Sequence, residues 1–241
     1  EITRFFTVYR QTVIPGLISS GLYIIIFGLT LQRRISSIDG VPYTVYILPG
    51  LIMMNVITNA YNNTASSMLQ MKLLQQIQDM LITPLSNVEL ALAFIIGGAV
   101  RGFVNGILVL LLGIFIVGMP VEKPFSVILI IFMVSWAFSS IGLVIGIMAQ
   151  TWDNIATMVN FFITPLIFLG GVFYSINMLP GFWRTISLVN PIYYLINGLR
   201  QSVLGVGDTP FSTSLTASIF MTLLFSSIGI FLFHKGYRIK S

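Results

Sequence analysis

The sequence predicts an all-α integral membrane protein with about six transmembrane helices, and three observations carry that prediction. Only 8% of the residues are charged and 56% are hydrophobic, where a soluble domain is roughly 25% charged. Mean hydropathy is +0.95, more apolar surface than a soluble fold can use. The apolar runs are continuous over about 20 residues, the length that crosses a ~30 Å hydrocarbon layer as a helix. They do not alternate as the strands of an outer-membrane barrel do. A chain of 241 residues accommodates about five to seven such spans.

Charged and turn-forming residues punctuate these runs and set the expected boundaries. The first span covers about 13–31, and Arg33, Arg34, Asp39, Gly40 and Pro42 form the loop after it. The second covers 46–67 and leads into a polar, amphipathic segment at 69–82, closed by Thr83 and Pro84. The third covers 88–117 and carries Arg101. Pro120, Glu122, Lys123 and Pro124 turn the chain into the fourth at 125–149. Gln150, Trp152, Asp153 and Asn154 connect it to the fifth at 155–174, and the sixth covers 211–233. Between the last two, 176–205 is neither span nor simple loop. Asn190 and Pro191 there read as the N-cap and first residue of a helix that stops near Gly205. Ile192, Leu195, Ile196, Leu199 and Val203 keep helical spacing, with Asn197, Arg200 and Gln201 on other faces. At about 14 residues this helix is too short to cross, so it is expected at the interface or dipping in and returning.

Charge and rare residues exclude several functions. The formal net charge is +5, but the basic residues scatter at span ends, as membrane anchors do, so no nucleic-acid partner is expected. The absence of cysteine excludes disulfide frameworks and thiolate metal sites. The lone histidine, His234, ends the last span with no second ligand type clustered near it, so no metal site is expected. The chain starts at Glu1 rather than methionine, which leads us to expect residues upstream. The run at 13–31 is too long for a signal-peptide core, and no A-x-A cleavage site follows it. Six spans place both termini on one side. Basic residues divide almost evenly between the two sides, and the tail of Lys235, Arg238 and Lys240 tips the termini inside.

Polar residues within spans are the candidate functional positions. Asn55, Asn59, Asn62 and Ser66 are spaced four, three and four apart, which stacks them on one helix face, with Thr58 and Asn63 flanking. Hydrocarbon cannot solvate amides, so this face meets protein or water. It reads either as interhelical hydrogen bonding or as one wall of a translocation pathway, and a helix at a dimer seam serves both. Gly98, Gly102 and Gly106, and then Ser135, Ser139, Gly142 and Gly146, form small faces that let helix backbones approach. Arg101 is an intramembrane charge that needs a partner or water. Asp153 is its candidate partner, in a structural ion pair rather than a substrate contact. All seven acidic residues lie outside the spans or at their ends, which leaves no intramembrane carboxylate for a proton-coupled carrier. No lysine follows a glycine, so a P-loop is absent. If this protein pumps, the energy comes from another subunit.

Within 69–82, Leu73, Leu74, Ile77, Met80 and Leu81 form an apolar face, with Lys72, Gln75, Gln76 and Asp79 opposite. This arrangement, with LPGLIMMNVITNAYNNTASS at 48–67 and ITPLIFLGGVFYSINMLPGFWRTISLVNPIYYLINGLRQSVLG at 163–205, resembles the ABC-2 type transport permeases. It resembles in particular the bacterial inner-membrane permeases of the drug and lipo-oligosaccharide export type, over nearly the whole chain. The resemblance implies a single ABC-2 transmembrane domain over 1–241 in the bacterial inner (plasma) membrane. Six transmembrane helices would be joined by an N-terminal interfacial helix ending around 2–10, a cytoplasmic coupling helix at 69–82, and re-entrant helices at 176–205 before the last span. It implies a homodimer, each copy seated on a separate ABC ATPase subunit. That subunit binds ATP and Mg, so this chain binds no cofactor and is not by itself an enzyme. Leu74, Gln75, Ile77, Gln78, Asp79, Leu81, Thr83 and Pro84 are then the expected ATPase-coupling residues. Asn55, Thr58, Asn59, Asn62 and Ser66 become the expected translocation pathway or dimer seam. Gln78 departs from the family pattern, standing where relatives often carry a glutamate. The implied function is the permease of an ATP-driven exporter of an amphiphilic substrate: a lipid, a lipid-linked sugar or a hydrophobic drug. The alternative is a self-sufficient channel or secondary carrier, and the missing intramembrane carboxylate argues against a proton carrier.

Overall fold

Residues 9–31, 36–81 and 83–236 are described by a computed structural model. The expected interfacial helix at 2–10 falls largely outside the described residues. So do Arg33, Arg34, Ile82 and the basic tail beyond Gly236, together with the side chain of Leu81. The first helix, α1 (Tyr9–Leu31), precedes a two-stranded antiparallel ribbon, β1 (Ser37–Ile38) and β2 (Val41–Pro42). Asp39 and Gly40 turn this ribbon with φ of 50° and 79°, the left-handed pair that a tight hairpin demands. Then follow α2 (Tyr43–Leu73), the short α3 (Gln76–Leu81), α4 (Asn87–Val117) and α5 (Pro124–Met148). Helix α6 (Trp152–Leu169) contains a π-turn at Val159–Ile163. A 3-10 turn at Ile176–Met178 leads to α7 (Gly181–Val189), α8 (Pro191–Leu204) and α9 (Phe211–His234). Five of these, α2, α4, α5, α6 and α9, are long and apolar enough to cross a membrane. The described apolar stretch of α1, Ile14–Phe27, is shorter. The architecture is that of an all-α membrane protein.

Helix α2 organises the packing. It is the least apolar of the five, yet 72% of its most apolar window is buried, against 17% for α6 and for α9. The reason is chemical: a helix rich in amides and hydroxyls cannot face hydrocarbon, so its neighbours cover it. Helices α4 and α5 grip it along most of its length, and α1, α6 and α8 cover the rest. Small residues set the distance of approach. A Cβ added at Gly102 of α4 would lie 2.7 Å from Ala60 Cβ, and one at Gly142 of α5 would lie 2.6 Å from the Tyr61 carbonyl. Where the three helices meet, the hydroxyls of Thr64 and Ser139 lie 2.7 Å apart. Caps punctuate the bundle: Ser86 and Glu89 form a capping box at the start of α4, and Gly118 in the left-handed conformation ends it.

Two expected elements differ in the structure. Helix α2 runs on to Leu73, through the first part of the expected helix at 69–82, and only Gln76–Leu81 forms a separate helix. Helix α6 ends at Leu169 rather than near 174, because Gly170 and Gly171, the latter at φ 80°, turn the chain. Helix α8 has the expected caps, Asn190 and Gly205, and it is buried among α2, α5 and α9. Two of its buried polar side chains, Asn197 and Arg200, find partners within the chain. Asn197 donates to the Thr209 carbonyl at 3.0 Å. Arg200 donates to the Gly171 carbonyl at 2.7 Å and stacks over the Tyr46 ring at 4.1 Å.

Candidate functional site

The polar face of α2 turns towards α1. Asn55 Nδ2 donates to the Gly16 carbonyl at 3.1 Å and to Ser20 Oγ at 3.3 Å. Gly16 makes this possible, since a Cβ there would come within 2.9 Å of the same nitrogen. Asn59 Nδ2 in turn donates to Asn55 Oδ1 at 2.8 Å. An amide chain therefore runs from α1 up one turn of α2, each member polarising the next. Thr58 donates to the Met54 carbonyl at 2.8 Å, and Ser66 donates to the carbonyls of Asn62 and Asn63.

This face lines a cavity of about 450 Å³ between α1 and α2. Asn55, Thr58, Asn59, Asn62 and Ser66 all reach it, so the structure brings the whole stripe together at one place. Pro15, Ser19 and Tyr23 of α1 form the opposite wall, and Arg101 of α4 closes one end. The Arg101 guanidinium donates to Asn63 Oδ1. The expected partner, Asp153, lies exposed in the first turn of α6. Asn63 is buried on the side of α2 that meets α4. The α1 wall escaped the sequence reading; its signal was Pro15-Gly16 and Ser19-Ser20 within an otherwise apolar run.

The segment beyond α2 forms a second candidate surface. Gln75 adopts φ 57°, a left-handed conformation uncommon for a residue with a side chain, and this turns α3 away from α2. Ile77 is buried with Met68, Leu90, Phe94 and Ile147, and Met80 packs against the same group. Of the expected docking face, Ile77 therefore belongs to the chain's own packing. Leu74, Gln75, Gln78, Asp79, Thr83 and Pro84 remain exposed. Lys72 Nζ donates to the carbonyls of Ile147 and Ala149 at 2.7 and 2.8 Å. It thereby ties the end of α2 to the last carbonyls of α5, which a cation favours.

The profile of the family described as ABC-2 type transporter matches residues 1–204. The chain belongs to the ABC-2 type transporter family. It is similar to the inner membrane transport permease YadH of Escherichia coli (strain K12), with 39% identity over 241 residues, covering 100% of this chain and 94% of that one. It is also similar to nodulation protein J of Rhizobium leguminosarum bv. viciae, with 24% identity over 200 residues, covering 80% and 75% of the two chains. Together with the crossing helices, this makes the chain a membrane transport permease. It is a multi-pass protein of the bacterial inner membrane, a transport component rather than an enzyme in its own right.

In this ABC-2 permease a further polar cluster holds α8 in place. Asp208 Oδ1 accepts from Ser175 Oγ and from Asn177 Nδ2, both at 2.7 Å, and its backbone N–H donates to Asn197 Oδ1 at 2.8 Å. Burial pushes the neighbouring Tyr193 phenol up to about 12. The cluster joins the middle of α8 and the 3-10 turn to the segment before α9 and reads as architecture.

Proposed function

We propose that this permease is the membrane subunit of an ATP-driven exporter. It works as a homodimer, each copy seated on a separate ABC ATPase that binds ATP and Mg, and moves an amphiphilic substrate outward across the inner membrane. The observation that carries this reading is the cavity between α1 and α2: a polar lining within the bundle, beside helices whose outer faces are apolar. An amphiphile needs both surfaces. Helix α1 spans 23 residues, which at 1.5 Å per residue is about 34 Å, and it serves as the sixth span. Both termini and α3 then face the cytoplasm, and α7 with α8 form the re-entrant pair before the last span.

Force enters through α3, the coupling helix, because the chain has neither a P-loop nor an intramembrane carboxylate. Leu74, Gln78, Asp79, Thr83 and Pro84 form the ATPase-facing rim. Ile77 and Lys72 pass its motion to α5 and α2, and the α1–α2 cavity opens as α2 shifts. Purification of the permease with its ATPase, followed by transport in sealed vesicles, tests this reading. The expected result is a complex of two permeases and two ATPases with ATP-dependent movement of a lipid-like substrate. Transport by the permease alone overturns it in favour of a self-sufficient channel or carrier.

A further inference from the structure

The turn that follows α6 is fastened to the bundle from several sides. Its Gly171 carbonyl accepts from Arg200 of α8 at 2.7 Å, and its Phe173 carbonyl accepts from the Tyr43 hydroxyl of α2 at 3.3 Å. Ser175 and Asn177 each donate to Asp208 at 2.7 Å. The α2 backbone also comes close, since a Cβ on Gly50 would lie 2.7 Å from Val172 Cα. The turn therefore moves as one body with the outer part of α2. What it presents to α1 is the Phe173 ring. That ring stacks on Phe27 at a centroid distance of 4.7 Å and lies 6.3 Å from the Tyr23 ring. Tyr23 and Phe27 stack on each other at 5.9 Å, and Phe168 backs Phe173 at 5.9 Å.

Helix α1 is held differently. Asn55 bonds it at Gly16 and Ser20, and its opposite face presents Ile18, Leu22, Ile25 and Ile26, each more than half exposed. An apolar face of that kind slides in hydrocarbon without breaking a polar contact. Tyr23 also lines the α1–α2 cavity, and Phe27 stands about one helical turn beyond it. The cavity reaches Ser66 and Arg101 at one end. The ring stack closes the other, on the side of the β1–β2 ribbon. Ring faces in contact exclude water as an apolar constriction does, and they part without leaving a hydrogen bond unmade.

We propose that Phe173 on one side, and Tyr23 with Phe27 on the other, form an aromatic gate at the outer end of the α1–α2 cavity. A shift of α2 carries the turn with it and parts the rings. The gate rests on the reading above that substrate leaves through this cavity, but its opening is measurable without substrate. The probe is an impermeant maleimide added to intact cells, on a chain that has no cysteine of its own. Thr58→Cys, in the cavity lining, reports the gate, and Ser36→Cys, exposed beside the ribbon, reports the outer surface. In the chain with its rings intact, Thr58→Cys should label far more slowly than Ser36→Cys. Adding Phe173→Ala or Phe27→Ala should speed labelling of Thr58→Cys about tenfold, the shift that the loss of two ring contacts gives, and leave Ser36→Cys unchanged. Phe173→Tyr keeps the ring and should restore slow labelling, which separates the gate from a general loosening of the fold. The two alanine variants lie on opposite sides of the stack, so either suffices if the other fails to fold. Labelling of Thr58→Cys as fast as that of Ser36→Cys with the rings intact overturns the proposal, and this comparison needs no ring variant. Labelling that neither alanine variant speeds overturns it too. So does a Ser36→Cys that the reagent cannot reach, because the stack then faces the cytoplasm. Rings that control labelling while co-expression of the ATPase leaves its rate unchanged keep the gate and count against the ATP-driven reading instead.

Discussion

Both amide atoms of Asn55 are bonded within the chain, its nitrogen to α1 and its oxygen to Asn59, whereas Asn59 keeps an oxygen for the cavity. The two amides should therefore fail differently. We predict that Asn55→Leu lowers thermal stability, by about 1–3 kcal/mol for the polar groups it orphans, because it unfastens α1 from α2. Asn59→Leu should leave assembly largely intact and cut transport about tenfold or more, read by vesicle uptake beside size-exclusion profiles. Equal losses of assembly in both variants would contradict this division. Glycines give a second contrast. Gly142→Ala presses a methyl on the Tyr61 carbonyl, a rigid neighbour, and overpacking of that kind costs about 1–3 kcal/mol. Gly21→Ala meets nothing within 4 Å and should be neutral or slightly stabilising, since alanine is the better helix former; melting curves separate the pair. The stripe at 55–66 was legible in the sequence because helical periodicity and the intolerance of lipid for amides leave it no other environment. The bond from Arg101 to Asn63 was not, because Asn63 and Asp153 are both permitted by chain position and only the crossing of α2 with α4 chooses between them.

At the scale of elements, the turn between α2 and α3 decides how the cytoplasmic segment is presented. The apolar periodicity of 69–82 runs unbroken and contains neither glycine nor proline, so one helix was the natural expectation. The break falls at Gln75 instead, because Lys72 is anchored on α5 while Ile77 is drawn back into the bundle, and one residue must take the left-handed conformation between them. We predict that Gln75→Gly, which accepts that φ without strain, preserves ATPase binding. Gln75→Val, β-branched and poorly suited to it, should weaken binding or uncouple hydrolysis from transport; co-purification ratios and substrate-stimulated hydrolysis report both. Two charges placed on the same segment should also part. Ile77→Asp buries an unpaired charge among Met68, Leu90 and Phe94 and should destabilise the permease itself. Leu74→Asp sits on an exposed site and should leave the permease folded while reducing the amount of ATPase that elutes with it. The caps of α8 were readable from Asn190-Pro191 and Gly205. Its burial was not, since Arg200 suggests a surface until the Tyr46 ring and the Gly171 carbonyl are seen to receive it.

For the whole molecule, the chain's lack of cysteine makes its orientation directly measurable. A cysteine at Ser36, exposed beside the β1–β2 ribbon, should react with an impermeant maleimide added to intact cells. One at Gln78, exposed on α3, should react only after the membrane is opened. The reverse pattern would invert the proposed topology and remove α3 from reach of any cytoplasmic ATPase. The membrane class was legible from composition alone, while the central place of α2 was not, because hydropathy ranks helices by their fitness for lipid and α2 is the one the others shield from it. That central place bears on biogenesis. A segment with four asparagines on or beside one face partitions weakly into a bilayer by itself, since each polar side chain raises the free energy of insertion. Helix α2 must then leave the translocation machinery in company, held beside α1 until α4 and α5 arrive to enclose it. A chain stalled before α4 emerges would expose an unsheltered α2 to membrane proteases, while one extended past α5 would be protected. The order of synthesis thus doubles as a safeguard for the most polar helix of the bundle.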